Sequence, residues 1–227
     1  MSKEIDNIFV DVRNAFRLLK SYQERILQIV SYIREQTPYT RMWGGRWYSD
    51  EIGTSRSPAP DYAKLKVNKD MPGWDFLYGY LFEYYFGKHK FGKKTLEMSI
   101  IQISDDGFFI SNKSEKDISD LSCFESSKSS HSYIVFNVSV YTSNASEMWL
   151  SDPDCPDDGW GEFLDKFFSA PNDTKVTKND KGGIVILKRY EMQRFTSQHE
   201  TDTVIRDFGK ILKNYTDIEL FKSNFYE

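Results

Sequence analysis

The chain has 227 residues, 39% hydrophobic and 28% charged, enough to bury a sizeable core and too apolar to stay disordered. Its net charge of −4 gives no global footprint for nucleic acid, and its two cysteines, Cys123 and Cys155, cannot build a disulfide framework or a zinc site. No apolar run approaches the ~20 residues of a membrane span, and no secretory leader opens the sequence, so cytoplasmic residence is expected. Five Asn-x-Ser/Thr sequons are then chance matches.

Residues 1–37 read as an N-terminal helical arm. Ile5, Val12, Leu19, Ile26 and Ile33 fall seven apart, with Phe9, Phe16 and Val30 in the interleaved register and Gln23 as its one break. That spacing aligns them along one edge of a helix. Ile8, Ala15, Tyr22 and Ile29 widen the stripe, as suits a helix lying on a core, and Arg13, Lys20 and Arg34 edge its other side. The stripe either closes the chain's own core or docks a partner.

Residues 38–73 form an aromatic-rich irregular segment, punctuated by Gly44-Gly45, Pro58, Pro60 and Pro72-Gly73. It carries Trp43 and Trp47 beside Arg41 and Arg46, a mixture of rings and cations able to stack bases or to fold back on the body. Residues 74–227 are expected to form an α+β body, with all three segments joined in one compact domain. Trp74 to Phe86 is apolar almost all round and predicts a central helix.

Leu96 to Ile103 alternates as a strand, and Asp106-Gly107 predicts a hairpin returning through Phe108 to Ile110. Ser111 to Ser130 reads as a polar loop. In Tyr133 to Tyr141 one face is uniformly apolar (Ile134, Phe136, Val138, Val140), which defines a core side. A Pro/Gly/Asp loop leads to a helix over Trp160 to Ser169, capped by Asp158. A hairpin follows, turning at 179–183 with its last strand over Ile184 to Phe195. A final amphipathic helix covers Thr201 to Tyr215.

The body is therefore expected to run helix, three strands, helix, two strands, helix around a mainly antiparallel sheet. That order is similar to the small α+β fold of type III secretion chaperones, and its first elements to the restriction-endonuclease-like core. The likeness is one of topology alone.

Complete catalytic motifs are not found. Gly87 to Thr95 nearly spells a phosphate-binding loop, but Lys94 stands where Ser or Thr must reach magnesium. Asp152 to Gly159 lacks the glycine and glutamate of a calcium loop. A metal-dependent nuclease would need an acid and a lysine on the third strand, and Tyr133 to Tyr141 has neither. His89, His131 and His199 fall in polar segments, and nothing rigid holds Cys123 against His131.

No residue earns a catalytic, metal or cofactor assignment, and binding is expected over catalysis. The anchors would be Phe9, Phe16 and Ile26, or Trp43 and Trp47, for a protein partner or a second copy. The alternative is a nucleic-acid-binding protein or a degenerate restriction-endonuclease-like domain, with nucleic acid held by Arg41 and Arg46 and the basic run Lys88, Lys90, Lys93 and Lys94.

Overall fold

A computed structural model describes residues 2–46, 80–116, 120–142, 167, 172–178 and 182–226, with side chains of the first helix from residue 7. The chain is α+β, as its periodicities require. Helix α1 spans Ser2–Glu35, and strands β1 (Trp43–Arg46), β2 (Leu81–Phe91), β3 (Lys94–Ile103), β4 (Tyr133–Thr142), β5 (Thr174–Lys178) and β6 (Ile184–Glu191) follow. A single helical turn, α2 (Gly107–Ile110), interrupts the strands, and α3 (Gln198–Thr216) comes after them. The strands lie in the order β1-β2-β3-β4-β6-β5, every neighbour antiparallel.

Alternation along these strands separates two faces. Phe82, Tyr84 and Phe86 of β2, Leu96, Met98 and Ile100 of β3, and Ile134, Phe136, Val138 and Val140 of β4 pack under the helices. α1 contributes Ile26, Ile29, Val30 and Ile33 to this core, and α3 contributes Val204, Ile205, Phe208 and Leu212. The Phe136 and Phe208 ring centroids lie 4.7 Å apart, joining sheet to helix. Removing such surface from water is what holds the layers together.

The end of α1 is bound into this layer. Thr37 Oγ1 donates to the Arg34 carbonyl, and the buried Tyr39 donates its hydroxyl to the Leu96 carbonyl at 2.9 Å. α3 begins at Ser197, whose hydroxyl accepts from the Glu200 amide, the first half of a capping box. It stops at Asp217, in the left-handed conformation at φ 58°, whose amide donates to the Lys213 carbonyl. Beyond it Ile218, Leu220, Phe221 and Phe225 fold back into the core. The Lys222 amide reaches the Gln36 carbonyl just past α1.

Several sequence expectations change. Residues 81–86, expected to be helical, belong to β2. Their apolar residues are buried on both sheet faces, and a run buried on both faces has no period that separates strand from helix. The element order that suggested the two known topologies therefore has a strand where it needed a helix; residues 74–79 lie outside the described region.

The Asp106-Gly107 hairpin is also replaced. Gly107 does not take the positive φ that a two-residue Asn-Gly-type turn demands, and the chain enters α2 instead. Asp105 Oδ1 accepts from the Gly107 amide, while Asp106 Oδ1 accepts from the His131 amide at 2.7 Å. These carboxylates fix a helical turn, not a strand return.

The hairpin the sheet does use turns at Gly92-Lys93, where Gly92 has φ 60°. Gly87, at φ 105°, sits where the β2–β3 register shifts by one residue. Both glycines of the near phosphate-loop motif thus serve a β-hairpin.

β6 ends at Glu191, and a 3₁₀ turn over Met192–Phe195 takes the rest of the expected strand. The segment Ser111–Ser130 holds a 3₁₀ turn at Leu121–Cys123 that buries Cys123 beside Phe108, Phe109 and Phe167. The Asp152–Gly159 loop lies outside the described residues. So does the helix expected at 160–169, except Phe167, which is helical and buried.

Candidate functional site

The apolar stripe of α1 divides at Tyr22 and Gln23. C-terminal to them Ile26, Ile29, Val30 and Ile33 are buried on the sheet. N-terminal to them residues 7–21 are all exposed. Ile8, Phe9, Val12, Phe16 and Leu19 continue the same edge into water, with Phe16 67% exposed and Ile26 0%. The exposed run amounts to about 22 Å of helix.

Gln23, the break in the repeat, marks this boundary. Its side chain meets the Tyr84 hydroxyl at 2.6 Å and Gln102 of β3, and Tyr84 donates in turn to Gln102 Oε1 at 2.8 Å. Tyr22 donates to Ser104 Oγ at the end of β3. A polar layer therefore closes the sheet end that α1 overhangs.

Of the sequence-predicted anchors, Phe9 and Phe16 are on the overhang, while Ile26 is spent in the chain's own core. Trp43 lies on edge strand β1, half exposed, with its ring 5.9 Å from that of Tyr85. Arg41 is exposed beside it, Arg46 closes the same strand, and Trp47 lies outside the described residues.

The lysines do not form one patch. Lys88 stands opposite Glu97, 3.7 Å from its carboxylate, and Lys90 shares that sheet face. Lys93 occupies the turn. Lys94 pairs on the other face and donates to the Thr216 carbonyl at the end of α3. Of the three histidines, His89 is half-buried, with its ring against Tyr39 and Phe91.

A family match covers residues 2–217 and carries the description PM0109. The chain belongs to the PM0109 family. No curated protein and no solved structure matches it. The match takes in the overhanging arm together with the sheet and α3, so arm and body form one family unit.

The sheet face turned away from the helices carries a second feature that periodicity alone did not single out. Near one end it is apolar, with Leu81, Ile101, Ile103, Val135 and Leu187 under Phe108, Phe109 and Phe167. Further along, register brings Glu83 and Tyr85 of β2, Glu97 and Ser99 of β3, and Asn137 and Ser139 of β4 side by side. Glu97 is 2% exposed, and Tyr85 donates its hydroxyl to Glu97 Oε1 at 2.5 Å.

Burial holds the Glu83 carboxyl up at about 6; the neighbouring Glu97 charge adds to this and the Ser99 hydroxyl opposes it. The Tyr85 hydroxyl is raised too, first by burial and then by its bond to Glu97. The signal for this row was present in the strands, as polar residues at alternate positions; only the pairing register assembles it.

At the opposite edge a cleft of about 530 Å³ is lined by Asp173, Lys188, Arg189, Glu191, Arg194 and Asp207 among others. Two of its carboxylates are held by neighbours: Arg189 Nε donates to Asp173 at 2.9 Å, and Tyr190 donates to Asp207 at 2.6 Å. Among the described residues no three His, Cys, Asp or Glu side chains are grouped to hold a metal ion, and no helix is long and apolar enough to cross a membrane.

Proposed function

We propose that this protein is a non-enzymatic interaction module whose docking element is the overhanging part of α1. One observation carries the reading: the edge that builds the core at Ile26 to Ile33 continues unchanged through Leu19, Phe16, Val12 and Phe9 in water. A contiguous apolar surface rimmed by Arg13, Arg17 and Lys20 has the composition of an interface core with a polar rim. Burying the exposed half of each of those large side chains contributes on the order of 1 kcal/mol to a complex. Cytoplasmic residence belongs to the same reading, supported by the free, buried Cys123.

The test is site-specific photo-crosslinking in cells, with a benzophenone amino acid at Phe9 or Phe16 and a control at Leu121, which is equally exposed on another part of the surface. Discrete adducts at the two arm positions and none at Leu121 are expected. Arm adducts no more discrete than the control's would overturn the assignment.

A further inference from the structure

The geometry points to a second copy of this chain as the occupant of the arm, paired antiparallel so that each overhang covers the other; this rests on the docking reading above. A self-pairing helix must present a stripe that complements itself, and a seven-residue repeat does so. The chain's own body then selects the direction. At Ile26, Ile29, Val30 and Ile33 the stripe already lies on the sheet. In a parallel pair the two sheets would lie at the same end and meet beyond Gln23, whereas an antiparallel pair sets the two bodies at opposite ends.

One antiparallel register pairs the apolar residues of the arm between positions 9 and 19. It places Phe9 opposite the partner's Leu19 and Val12 opposite the partner's Phe16, with each pairing repeated by symmetry. Ala15 then meets its own copy near the twofold axis, where a small residue leaves room between the two Phe16 rings. On the other flank position 6, an aspartate, falls opposite position 20 of the partner, a lysine, twice per pair. The parallel alternative sets Ile8 beside Arg13 and Ala15 beside Lys20 and makes no charge pair.

Arg13 facing its own copy at the axis is the one repulsive contact in the antiparallel register, outweighed in number by the two Asp-Lys pairs. Lys20 also pairs with Glu24 of its own helix at 2.6 Å, an exposed contact that the pairing between copies would share or replace.

The area is sufficient. Ile8, Phe9, Val12, Phe16 and Leu19 are between 44% and 67% exposed, leaving on the order of 500 Å² per copy to cover, and about 1,000 Å² in a pair, the lower bound for a specific interface. A weak, reversible dimer is the expected state.

The experiment is sedimentation velocity on the purified full chain across the micromolar range, with a charge-reversal set. The wild-type chain should dimerise. Lys20→Glu sets two like-charge pairs across the antiparallel seam and should weaken the dimer about tenfold, since each exposed pair changes by a factor of a few. Asp6→Lys should do the same, and the double variant Asp6→Lys/Lys20→Glu should recover most of the loss. Positions 6 and 20 are fourteen residues apart in one helix, too far to interact in cis, so recovery reports a contact between copies.

A wild-type monomer at every concentration overturns the inference, and so does a dimer indifferent to the reversals. A monomer that still gives discrete arm crosslinks to another protein, or that floats with anionic vesicles, overturns the second copy as occupant while leaving the arm a docking element. A monomer with no discrete crosslink removes both.

Discussion

Truncating one side chain on each side of the Gln23 boundary tests whether α1 is half core and half overhang. Ile26 is fully buried among Tyr84, Ile134 and the other residues of the main core. Ile26→Ala deletes three buried carbons and leaves a cavity, at a cost of about 3–4 kcal/mol. Phe16 loses its ring from a site that is already two-thirds in water. At concentrations where the chain is monomeric, Phe16→Ala should change unfolding stability by less than about 0.5 kcal/mol, partly offset by the better helix propensity of alanine.

The assay is urea unfolding followed by far-ultraviolet circular dichroism, run dilute and again concentrated. Dilute, Ile26→Ala should fall far below wild type while Phe16→Ala overlays it. Concentrated, Phe16→Ala should fail to gain the stabilisation that association gives wild type. A loss above about 2 kcal/mol for Phe16→Ala under dilute conditions would refute the reasoning, because only cover supplied by the same chain could produce it.

Two further outcomes follow from the sheet. The Glu83 carboxyl is held at about 6 against an ordinary 4.5, so the folded chain keeps a proton that the unfolded chain has lost between those values. Its stabilising contribution is full below about pH 4.5 and lost as pH rises through 6; Glu83→Gln should flatten that fall and gain at most about 2 kcal/mol at pH 8, read from thermal melts at pH 5 and pH 8. An unchanged pH slope in the variant would contradict the assignment. A Cβ on Gly44 would come within 2.4 Å of the Phe82 ring, so Gly44→Ala should loosen the β1–β2 pairing, seen as faster amide exchange at residues 43–46 with β3 and β4 unaffected.

The elements that could be read from the sequence are those whose two faces differ in residue type, even where both faces are buried, as in β4. β4 alternates because helices cover Ile134, Phe136 and Val138 while Asn137 and Ser139 look the other way, and α3 shows its buried edge for the same reason. β2 concealed itself by burying Leu81 on one face and Phe82 and Tyr84 on the other; a bulge at Phe86 then shifts the alternation. Asp106-Gly107 misled because Asp105 accepts from the Gly107 amide and Asp106 from the distant His131 amide, together holding a helical turn that turn residues alone do not fix. The tail after Asp217 carried no period to read, since Ile218, Leu220, Phe221 and Phe225 are positioned by contact with α3 and the sheet.

The arm is the most regular part of the chain, yet its regularity alone does not say what covers it. A heptad stripe states only that an edge wants cover, and the cover can come from the same chain or from another. Here one helix carries a covered stretch and an exposed one, and residue type does not distinguish them: Ile26 is buried, and Ile8 on the same helix is 59% exposed. What changes between them is the body beneath. The sheet under α1 ends where Tyr22 meets Ser104 and Gln23 meets Gln102, and past that polar layer nothing among the described residues buries the stripe. Gln23 is thus the residue that the stripe's own logic singles out. An apolar residue there would leave Tyr84 and Gln102 without these bonds, whereas glutamine satisfies both and separates the buried part of α1 from the exposed part.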